Sequence, residues 1–245
     1  MIVLFTDFGL SGPYTGQVKA VLAQRAPGIP VIDLFCDAPM RDPRAAAYLL
    51  AAYAECFPSG SVVLAVVDPG VGGARAPVMI EADSKWFVGP ENGLFELVLR
   101  RAAQCRVAEI TWRPPSLSAS FHGRDLFAPI AAALARGDAP QGSDRPDDWG
   151  RKPHWPDDLA EIIYVDQYGN AMSGLRAALL PGDSALIAAG RRVAPARTFS
   201  SVPPGEAFWY ENANGLAEIA VNMGRADAQL GLRIGSSVAV AAGAA

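Results

Sequence analysis

Short apolar runs alternate with segments of helical periodicity over the first half of the chain. The runs are rich in β-branched residues and end at turn residues, which is typical of buried strands. The predicted strands are residues 2–5, 30–34, 62–67 and 107–110, with a hairpin or paired strands at 78–81 and 86–88, and the predicted helices are 14–25, 44–56, 94–101 and 126–135. Because strands alternate with helices, we predict an α/β domain with a mostly parallel sheet and flanking helices.

The pattern changes near Gly137. Residues 142–158 are rich in Pro, Gly and Asp, which cannot hold a regular element for long and therefore indicate a linker. The short apolar runs beyond it predict strands at 161–165, 185–187, 191–193, 207–210, 217–221 and 237–240. We therefore predict an α/β domain over residues 1–141, a linker over 142–158 and a small all-β domain, a barrel or a sandwich, over 159–245.

Composition narrows the class of protein. Of the 245 residues, 51% are hydrophobic and 19% are charged, which indicates a globular protein with a sizeable core. The net charge is −4 and no basic stripe is visible, which argues against a nucleic-acid partner. The three cysteines form no CxxC pair, and histidines and clustered acids are few, so we expect neither a disulfide framework nor a metal site.

Nothing in the sequence points to a membrane. No apolar run approaches the ~18 residues that a membrane-spanning helix needs. The N-terminal run reaches Asp7 after a handful of apolar residues and has no basic flank, so it is interpreted as a core strand and not as a signal peptide. We expect a cytoplasmic protein without a membrane partner.

An acid and an arginine flank a glycine-rich turn at the end of the third predicted strand. Asp68 follows the run 62–67 directly, and Arg75 lies beyond the glycines. Because ligands bind beyond the carboxyl ends of strands in open α/β sheets, the two residues are candidates for catalysis. The alternative is a surface turn with a weak ion pair. The turn is not a phosphate-binding loop, because no Lys-Ser or Lys-Thr follows the glycines.

Other polar residues follow predicted strands or precede a helix. Asp7 follows the first strand, where an acid can accept hydrogen bonds from ribose hydroxyls or can simply form a turn or a cap. His122 is the better placed of the two histidines to titrate near neutral pH, and a structural role is its alternative. Asp125 is interpreted as a helix N-cap, and the segment 166–170, DQYGN, as a hairpin turn.

Six segments together resemble one family. They are TDFG at 6–9, VDPGVGGAR at 67–75, GPENG at 89–93, FHGRDLFAP at 121–129, DQYGN at 166–170 and NxxGLAEIAVN at 212–222. Their order and spacing are similar to those of the S-adenosyl-L-methionine (SAM) hydroxide adenosyltransferases, which are related to the bacterial fluorinase and chlorinase. The resemblance covers nearly the whole chain, and it is the ordered set that makes it specific.

The resemblance implies an α/β domain followed by a β-barrel, in a homotrimer whose active sites lie between the α/β domain of one subunit and the β domain of the next. The implied reaction is hydrolysis of SAM at the ribose C5′, which gives adenosine and L-methionine, with SAM as the substrate and no cofactor. The residues that would hold and activate the water are Asp68, Arg75 and His122. The sequence does not distinguish which of them is the base.

The resemblance also implies a set of substrate-binding residues. Asp7 matches the acid that binds the ribose hydroxyls, Asp166 the acid near the methionine amine, and Asn170 the asparagine that binds adenine. The further members of the implied binding set are Phe8, Phe121, Gly123, Tyr168 and Asn214. The family often has Asn-Ser before the glycine of the last motif, and Ala213 stands in place of that serine, so Asn214 or a backbone N–H is the replacement for the methionine carboxylate.

Two other functions remain open from the sequence. The first is chloride adenosyl transfer, since Gly123 does not exclude chloride, although the halogenating relatives lack the acid found here as Asp68. The fluorinase holds fluoride with a serine at the position of Gly123, so fluorination is disfavoured. The second is an adenosine- or SAM-binding protein with little turnover, against which the intact Asp, Arg and His set argues.

Overall fold

The computed structural model describes residues 1–139, 141–181 and 183–241. The chain divides into two units, Met1–Pro153 and His154–Ala245. Each unit contains one seven-stranded sheet, and each is described by itself.

The sheet of the first unit is flanked by helices. Its strands are β1 (Ile2–Thr6), β2 (Val31–Phe35), β3 (Val62–Val66), β4 (Pro77–Ala82), β5 (Lys85–Pro90), β6 (Cys105–Ile110) and β7 (Gly142–Arg145). Its helices are α1 (Tyr14–Arg25), α2 (Pro43–Tyr53), α3 (Glu96–Arg101) and α4 (Ala128–Ala135). The predicted α/β class is confirmed, and the predicted strands and helices of this half all exist with ends shifted by a few residues.

The sheet is mixed, with the order β2-β1-β3-β5-β4-β6-β7. Strands β2, β1, β3 and β5 are parallel neighbours, whereas β4, β6 and β7 add in antiparallel pairs. The β4–β5 connection is a two-residue hairpin whose residues Asp83 and Ser84 have φ of 44° and 64°. Two successive positive φ values fit the twist of a hairpin, and they turn the chain back after β4.

Burial places the core of the first unit on the central strands. Every residue of β1 and of β3 is buried, as expected of parallel strands that are covered on both faces. Helix α4 is apolar almost throughout and packs on α1 and on β3. The packing of β1 and β3 in the core therefore fixes the positions of their C-terminal ends, from which the following loops begin.

A single turn of π-helix, Gly123–Phe127, precedes α4. Asp125 was expected to be the N-cap of the helix that follows it. This expectation is wrong, because Asp125 lies within the π-helical turn and no side chain caps either this turn or α4. The Asp125 carboxylate instead accepts a hydrogen bond from Ser118 N at 2.9 Å and pairs with Arg124 at 2.6 Å. Such turns insert one residue into a helix and are common at functional sites.

Part of the segment predicted to be a linker is a strand. The four residues of β7 are exposed and pair with β6 at the edge of the sheet. Ion pairs bind the two strands together, one between Arg106 and Asp144 at 2.8 Å and one between Arg145 and Glu109. An exposed polar edge strand has no apolar alternation, which is why the sequence pattern did not reveal it.

The second unit is a nearly closed barrel, which confirms the predicted small all-β domain. Its strands are β8 (Leu159–Val165), β9 (Ala171–Arg176), β10 (Ala185–Ala188), β11 (Arg191–Pro195), β12 (Ala207–Glu211), β13 (Leu216–Val221) and β14 (Val238–Ala241), with a short helix α5 (Ala226–Leu230). The order is β14-β10-β11-β12-β13-β9-β8. A bridge between Glu161 and Ser237 joins the two ends of the sheet.

Strand β9 and helix α5 were not predicted. Strand β9 reads AMSGLR, which lacks β-branched residues. A Cβ at Gly174 would lie 2.7 Å from the Leu159 Cβ, so the close approach of β8 and β9 requires a glycine there. None of the helices in the described parts of the chain is long and apolar enough to cross a bilayer.

Candidate active site

Asp68 and Arg75 form a buried ion pair just beyond the end of β3. Arg75 Nε donates to both oxygens of the Asp68 carboxylate, at 3.1 and 3.0 Å, and Nη2 donates to Oδ2. Only 4% of the Asp68 side chain and 10% of the Arg75 side chain are exposed. The guanidinium carbon also lies 5.3 Å from the ring centre of Phe127. The pair is therefore not the exposed, weakly bound pair of a surface turn.

His122 shares the same guanidinium. Arg75 Nη2 lies 2.8 Å from His122 Nδ1. Because an arginine N–H can only donate, Nδ1 is the acceptor and the imidazole proton resides on Nε2. Burial and, next, the Arg75 charge lower the pKa of His122. The imidazole is thus neutral near pH 7, with one N–H donor directed away from Arg75.

The glycine turn between Asp68 and Arg75 fits tightly against the segment that leads to His122. Gly72 has φ +79°, and a Cβ there would lie 2.4 Å from the Ala119 carbonyl oxygen. Glycine is therefore required both for the backbone conformation and for the close approach. The contact holds the loop between Asp68 and Arg75 against the segment that precedes His122.

Asn92 supports the same strand end and was not singled out from the sequence. Its Nδ2 donates to the Val67 carbonyl at 2.9 Å, and its Oδ1 accepts from Leu94 N at 3.2 Å. The Val67 carbonyl belongs to the peptide that precedes Asp68. The only feature of the sequence that pointed to Asn92 is its place in the GPENG segment.

Asp7 lies beside this cluster, at the end of the adjacent strand β1. Its N–H donates to the Val66 carbonyl at 3.3 Å, and its Oδ2 accepts from Arg41 N at 2.9 Å. Burial raises the pKa of the Asp7 carboxyl, and the negative charge of Asp68 adds a smaller upward effect. Arg41 has φ 56°, an unusual value for a non-glycine residue, and this conformation points its amide at Asp7.

Aromatic rings cluster at the segment that contains His122. Phe8 and Phe121 meet edge to face with ring centres 5.8 Å apart, and Tyr14 lies 5.5 Å from Phe121. A Cβ at Gly123 would lie 3.0 Å from Phe8 Cζ, so a side chain there would push against the ring. The structure thus brings Asp7, Phe8, Phe121, Gly123 and the three candidate catalytic residues into the loops at one end of the first sheet.

The remaining candidates lie in the second unit, where the DQYGN segment forms the β8–β9 turn as expected. Asp166 Oδ1 accepts from the backbone N–H groups of Tyr168 and Asn170, both at 2.9 Å, and Oδ2 accepts from Asn170 Nδ2 at 3.2 Å. Tyr168 is 67% exposed, whereas Asn170 is 6% exposed. The turn presents a fixed carboxylate and a fixed amide side by side.

Glu218 lies at the centre of this second group and was not predicted. It is 2% exposed, in a strand that is otherwise apolar. Tyr210 Oη donates to its Oε1 at 2.7 Å and Asn212 Nδ2 to its Oε2 at 2.8 Å. Burial raises the pKa of Glu218, and the hydrogen bonds from Tyr210 and Asn212 oppose this increase. The sequence feature that could have identified Glu218 is that it is the only charged residue in the apolar segment LAEIAV.

Asn212 holds the last candidate in place. Its Oδ1 accepts from Asn214 N at 2.9 Å and from Leu216 N at 3.0 Å, which closes the turn between β12 and β13. Ala213 lies in this turn and has no hydroxyl. Within the described residues, no group of three or more His, Cys, Asp or Glu side chains could hold a metal ion.

Two family models match the chain along almost its whole length. The SAM hydroxide adenosyltransferase N-terminal domain matches residues 2–143, and the corresponding C-terminal domain matches residues 160–239. The chain belongs to this family. The two matches fall on the two units. Asp68, Arg75 and His122 therefore lie in the N-terminal domain of the family, and Glu218 with its hydrogen-bond partners lies in the C-terminal domain.

Individual members of the family are similar over nearly their full length. The chain is 42% identical to an (R)-S-adenosyl-L-methionine hydrolase of Thermus thermophilus, over 97% of this chain and 98% of the relative. It is 37% identical to a protein of the same name from Salinispora arenicola, over 97% and 96%. An uncharacterised conserved protein of Thermotoga maritima has the same fold, with a TM-score of 0.89, 28% identity, and 99% and 100% coverage.

Proposed function

We propose that the chain hydrolyses SAM at the ribose C5′, and that its substrate is the diastereomer with R configuration at sulfur. The observation that carries this proposal is the partly buried Asp68–Arg75–His122 cluster, in a chain 42% identical to a protein named for this hydrolysis. The products are adenosine and L-methionine. The names of the similar proteins specify the R configuration, and this feature of the proposal rests on those names alone.

The chemistry suits a site of this kind. A water oxygen forms a bond to C5′, the C5′–S bond breaks, and its electron pair passes to the sulfonium sulfur, while the water proton passes to a base. A cation and a developing hydroxide become neutral products, which a poorly solvated site favours. The thioether leaves uncharged, so its departure needs neither a general acid nor a Lewis acid.

Asp68 is the proton acceptor in this proposal. His122 offers only its Nε2–H beyond Arg75, because Nδ1 accepts the hydrogen bond from Arg75. A neutral imidazole in that tautomer donates to the nucleophilic oxygen and does not take its proton. The carboxylate of Asp68 retains lone pairs beside its bonds to Arg75. Arg75 and His122 then hold the developing hydroxide by hydrogen bonds and charge.

The other residues bind the substrate. Asp7, with Oδ2 held by the Arg41 amide, binds the ribose hydroxyls through Oδ1. Asp166 binds the methionine amine and Asn170 the adenine. The proposed binding set is completed by Phe8, Phe121, Gly123, Tyr168 and Asn214, with Asn214 or a backbone N–H of its turn at the methionine carboxylate. These roles follow the family resemblance, and the fixed geometry of both turns supports them.

The decisive experiment offers the purified protein each sulfonium diastereomer of SAM in oxygen-18 water. Chromatography with mass spectrometry should show adenosine and methionine in equal amounts, with the heavy oxygen in adenosine at the 5′ position and faster turnover of the R form. Label in methionine, or intact substrate after long incubation with both diastereomers, would contradict the proposal. Faster turnover of the S form would contradict only the stereochemical part.

We also propose that the active form is a homotrimer in which each site combines the first unit of one copy with the second unit of the next. Large apolar side chains are exposed near Asp7 in the first unit, with Leu10 at 83%, Tyr14 at 51% and Met40 at 65%. Exposed apolar residues around a site fit a surface that another chain covers. Sedimentation equilibrium should give three times the mass of one chain, and a fully active monomer would exclude this assembly.

A further inference from the structure

The loop between Asp68 and Arg75 is exposed and rich in glycine. Residues 69–74 are all exposed, and three of these six residues are glycines. Glycine leaves the backbone of such a loop many accessible conformations, and each would place the two ends of the loop differently. Contacts from outside the loop are therefore needed to hold Asp68 and Arg75 where the structure has them.

The order of the strands brings one segment of the chain beneath this loop. Strand β5 lies between β3 and β4 in the sheet. It is parallel to β3 and antiparallel to β4, so β3 and β5 end, and β4 begins, at the same edge of the sheet. The connection from β3 to β4, which contains Asp68 and Arg75, therefore crosses the end of β5. The residues that follow β5 can reach both sides of that connection.

The two residues directly after β5 hydrogen-bond to both sides of the loop. Asn92 Nδ2 donates to the Val67 carbonyl at 2.9 Å, where the chain enters the loop. The Glu91 N–H donates to the Ala76 carbonyl at 2.9 Å, where the chain leaves it. One dipeptide thus fixes both ends of the loop, and the Asn92 contact is the one that a side-chain substitution can remove.

The dipeptide is itself held by its surroundings. Asn92 Oδ1 accepts from Leu94 N at 3.2 Å, and the two contacts of the amide fix its orientation, because a carbonyl only accepts and a backbone N–H only donates. Lys152 Nζ donates to the Glu91 carboxylate at 3.2 Å. A Cβ at Gly150 would lie 2.5 Å from Glu91 Oε1, so the chain at this glycine packs closely on the same side chain. The Asn92 amide therefore has a fixed base from which to hold its partner.

We propose that Asn92 is a positioning residue for the reaction, whose amide holds the Val67–Asp68 peptide so that the Asp68 carboxylate stays on Arg75 and on the nucleophilic water. This inference rests on the proposed function, in which Asp68 accepts the proton of that water. Asn92 acts through the peptide and not on the substrate. Its loss should therefore slow the reaction and leave substrate binding intact, since a displacement of about 1 Å at a reacting group can cost about 10²-fold in rate.

Asn92→Asp isolates the contact with Val67. An aspartate keeps the shape of the side chain and the acceptor for Leu94 N, but an ionised carboxylate cannot donate to a carbonyl. Single-turnover kinetics should show a rate at saturating SAM that is at least about tenfold lower, with an unchanged half-saturation concentration.

The matched control lies at the other end of the same strand. Ser61 is buried just before β3, and its Oγ donates to the Pro58 carbonyl at 2.7 Å. Ser61→Ala also removes a bond from a side chain to a backbone carbonyl. It should lower the stability measured by urea denaturation and keep the wild-type rate.

A second measurement follows the position of the pair without any turnover. The chain has two histidines, so the nitrogen-15 signals of its imidazole rings can be assigned with one histidine variant. Arg75 Nη2 lies 2.8 Å from His122 Nδ1, so a displaced Asp68–Arg75 pair should move the His122 Nδ1 signal. The signal should move in Asn92→Asp and stay in place in Ser61→Ala.

The outcomes separate positioning from a structural role. A wild-type rate in Asn92→Asp, a loss that appears wholly as weaker SAM binding, an equal loss in Ser61→Ala, or an unmoved His122 signal would each overturn the proposal. Asn92→Ala, which adds no charge, replaces the aspartate variant if that variant does not fold. If neither folds, Asn92 is a structural residue and the proposal is wrong. If wild type does not turn over SAM, the proposed function fails, and the nitrogen-15 signal alone decides whether Asn92 positions the pair.

Discussion

Arg75 Nη2 lies 2.8 Å from His122 Nδ1, and the same guanidinium is bonded to both oxygens of Asp68. The histidine therefore has a cation beside it on the side of Nδ1. Protonating the imidazole would break this hydrogen bond and place two positive charges together.

This relationship predicts that the protein becomes less stable as the solution is acidified below about pH 6.5. Burial and Arg75 lower the pKa of His122 from its ordinary value of 6.5, so the unfolded chain binds a proton at that residue before the folded protein does. The free energy of unfolding should therefore decrease as the pH falls through 6.5 toward the lowered pKa. Urea denaturation across this range measures it, and the pH dependence should be smaller in His122→Gln than in wild type. An identical dependence in wild type and His122→Gln would contradict the prediction.

Asp68→Asn should remove turnover while leaving substrate binding. The amide keeps much of the shape of the carboxylate but cannot accept a proton, and general acid–base catalysis typically contributes about 10²–10⁴-fold. Single-turnover kinetics and calorimetric binding of SAM separate the two effects. Asp33→Asn is the matched control, since Asp33 is an exposed partner of Lys19. Near-wild-type turnover in Asp68→Asn would remove Asp68 from the mechanism.

Gly72→Ala should damage both stability and activity. The control is Gly60→Ala, because Gly60 has nearly the same φ, +80° against +79°, but nothing within 4 Å of an added Cβ. The control should lose only the cost of a left-handed alanine, about 1–2 kcal/mol. Gly72→Ala must also displace the Ala119 carbonyl, and a shift of the loops that carry the proposed catalytic residues by about 1 Å can cost about 10²-fold in rate. Denaturation and turnover measured on both variants check this, and equal losses would show that the contact is unimportant.

Chloride should not replace water as the nucleophile. The Asp68 carboxylate is negatively charged, so it would repel a chloride ion that bound beside it. A neutral water molecule meets no such repulsion. Reactions run in high chloride and in nitrate of the same ionic strength should give adenosine in equal amounts. Chromatography should detect no 5′-chloro-5′-deoxyadenosine, whose appearance would favour halide transfer instead.

The pattern of apolar residues was sufficient to predict strands that are buried on both faces. Strands β1 and β3 are such strands, and the helix at 14–25 has the predicted ends. Strand β9 was missed because the close packing at Gly174 requires a residue that is rare in strands. The periodicity of apolar residues predicts elements that are buried in the core. It does not predict an element such as β9, where close packing requires a glycine, or β7, which is exposed to water.

Candidate site residues could be predicted where a polar residue follows a strong strand, as Asp7 and Asp68 do. The proximity of His122 could not be derived in that way, because it depends on the packing of the loop before α4 against the glycine turn. Glu218 and Asn92 were missed because each acts through hydrogen bonds to neighbouring residues. Such partners become visible only when the folded distances are known.

The charged edge of the first sheet limits how copies of the chain can associate. Strand β7 ends the sheet with exposed residues, and its Asp144 and Arg145 are paired with side chains of β6. A further strand from another copy would have to desolvate these ions while it paired with the backbone, and charges on edge strands oppose such additions. Addition of a strand from another copy is thus disfavoured at this edge of the first sheet, which protects the edge from sheet-to-sheet aggregation.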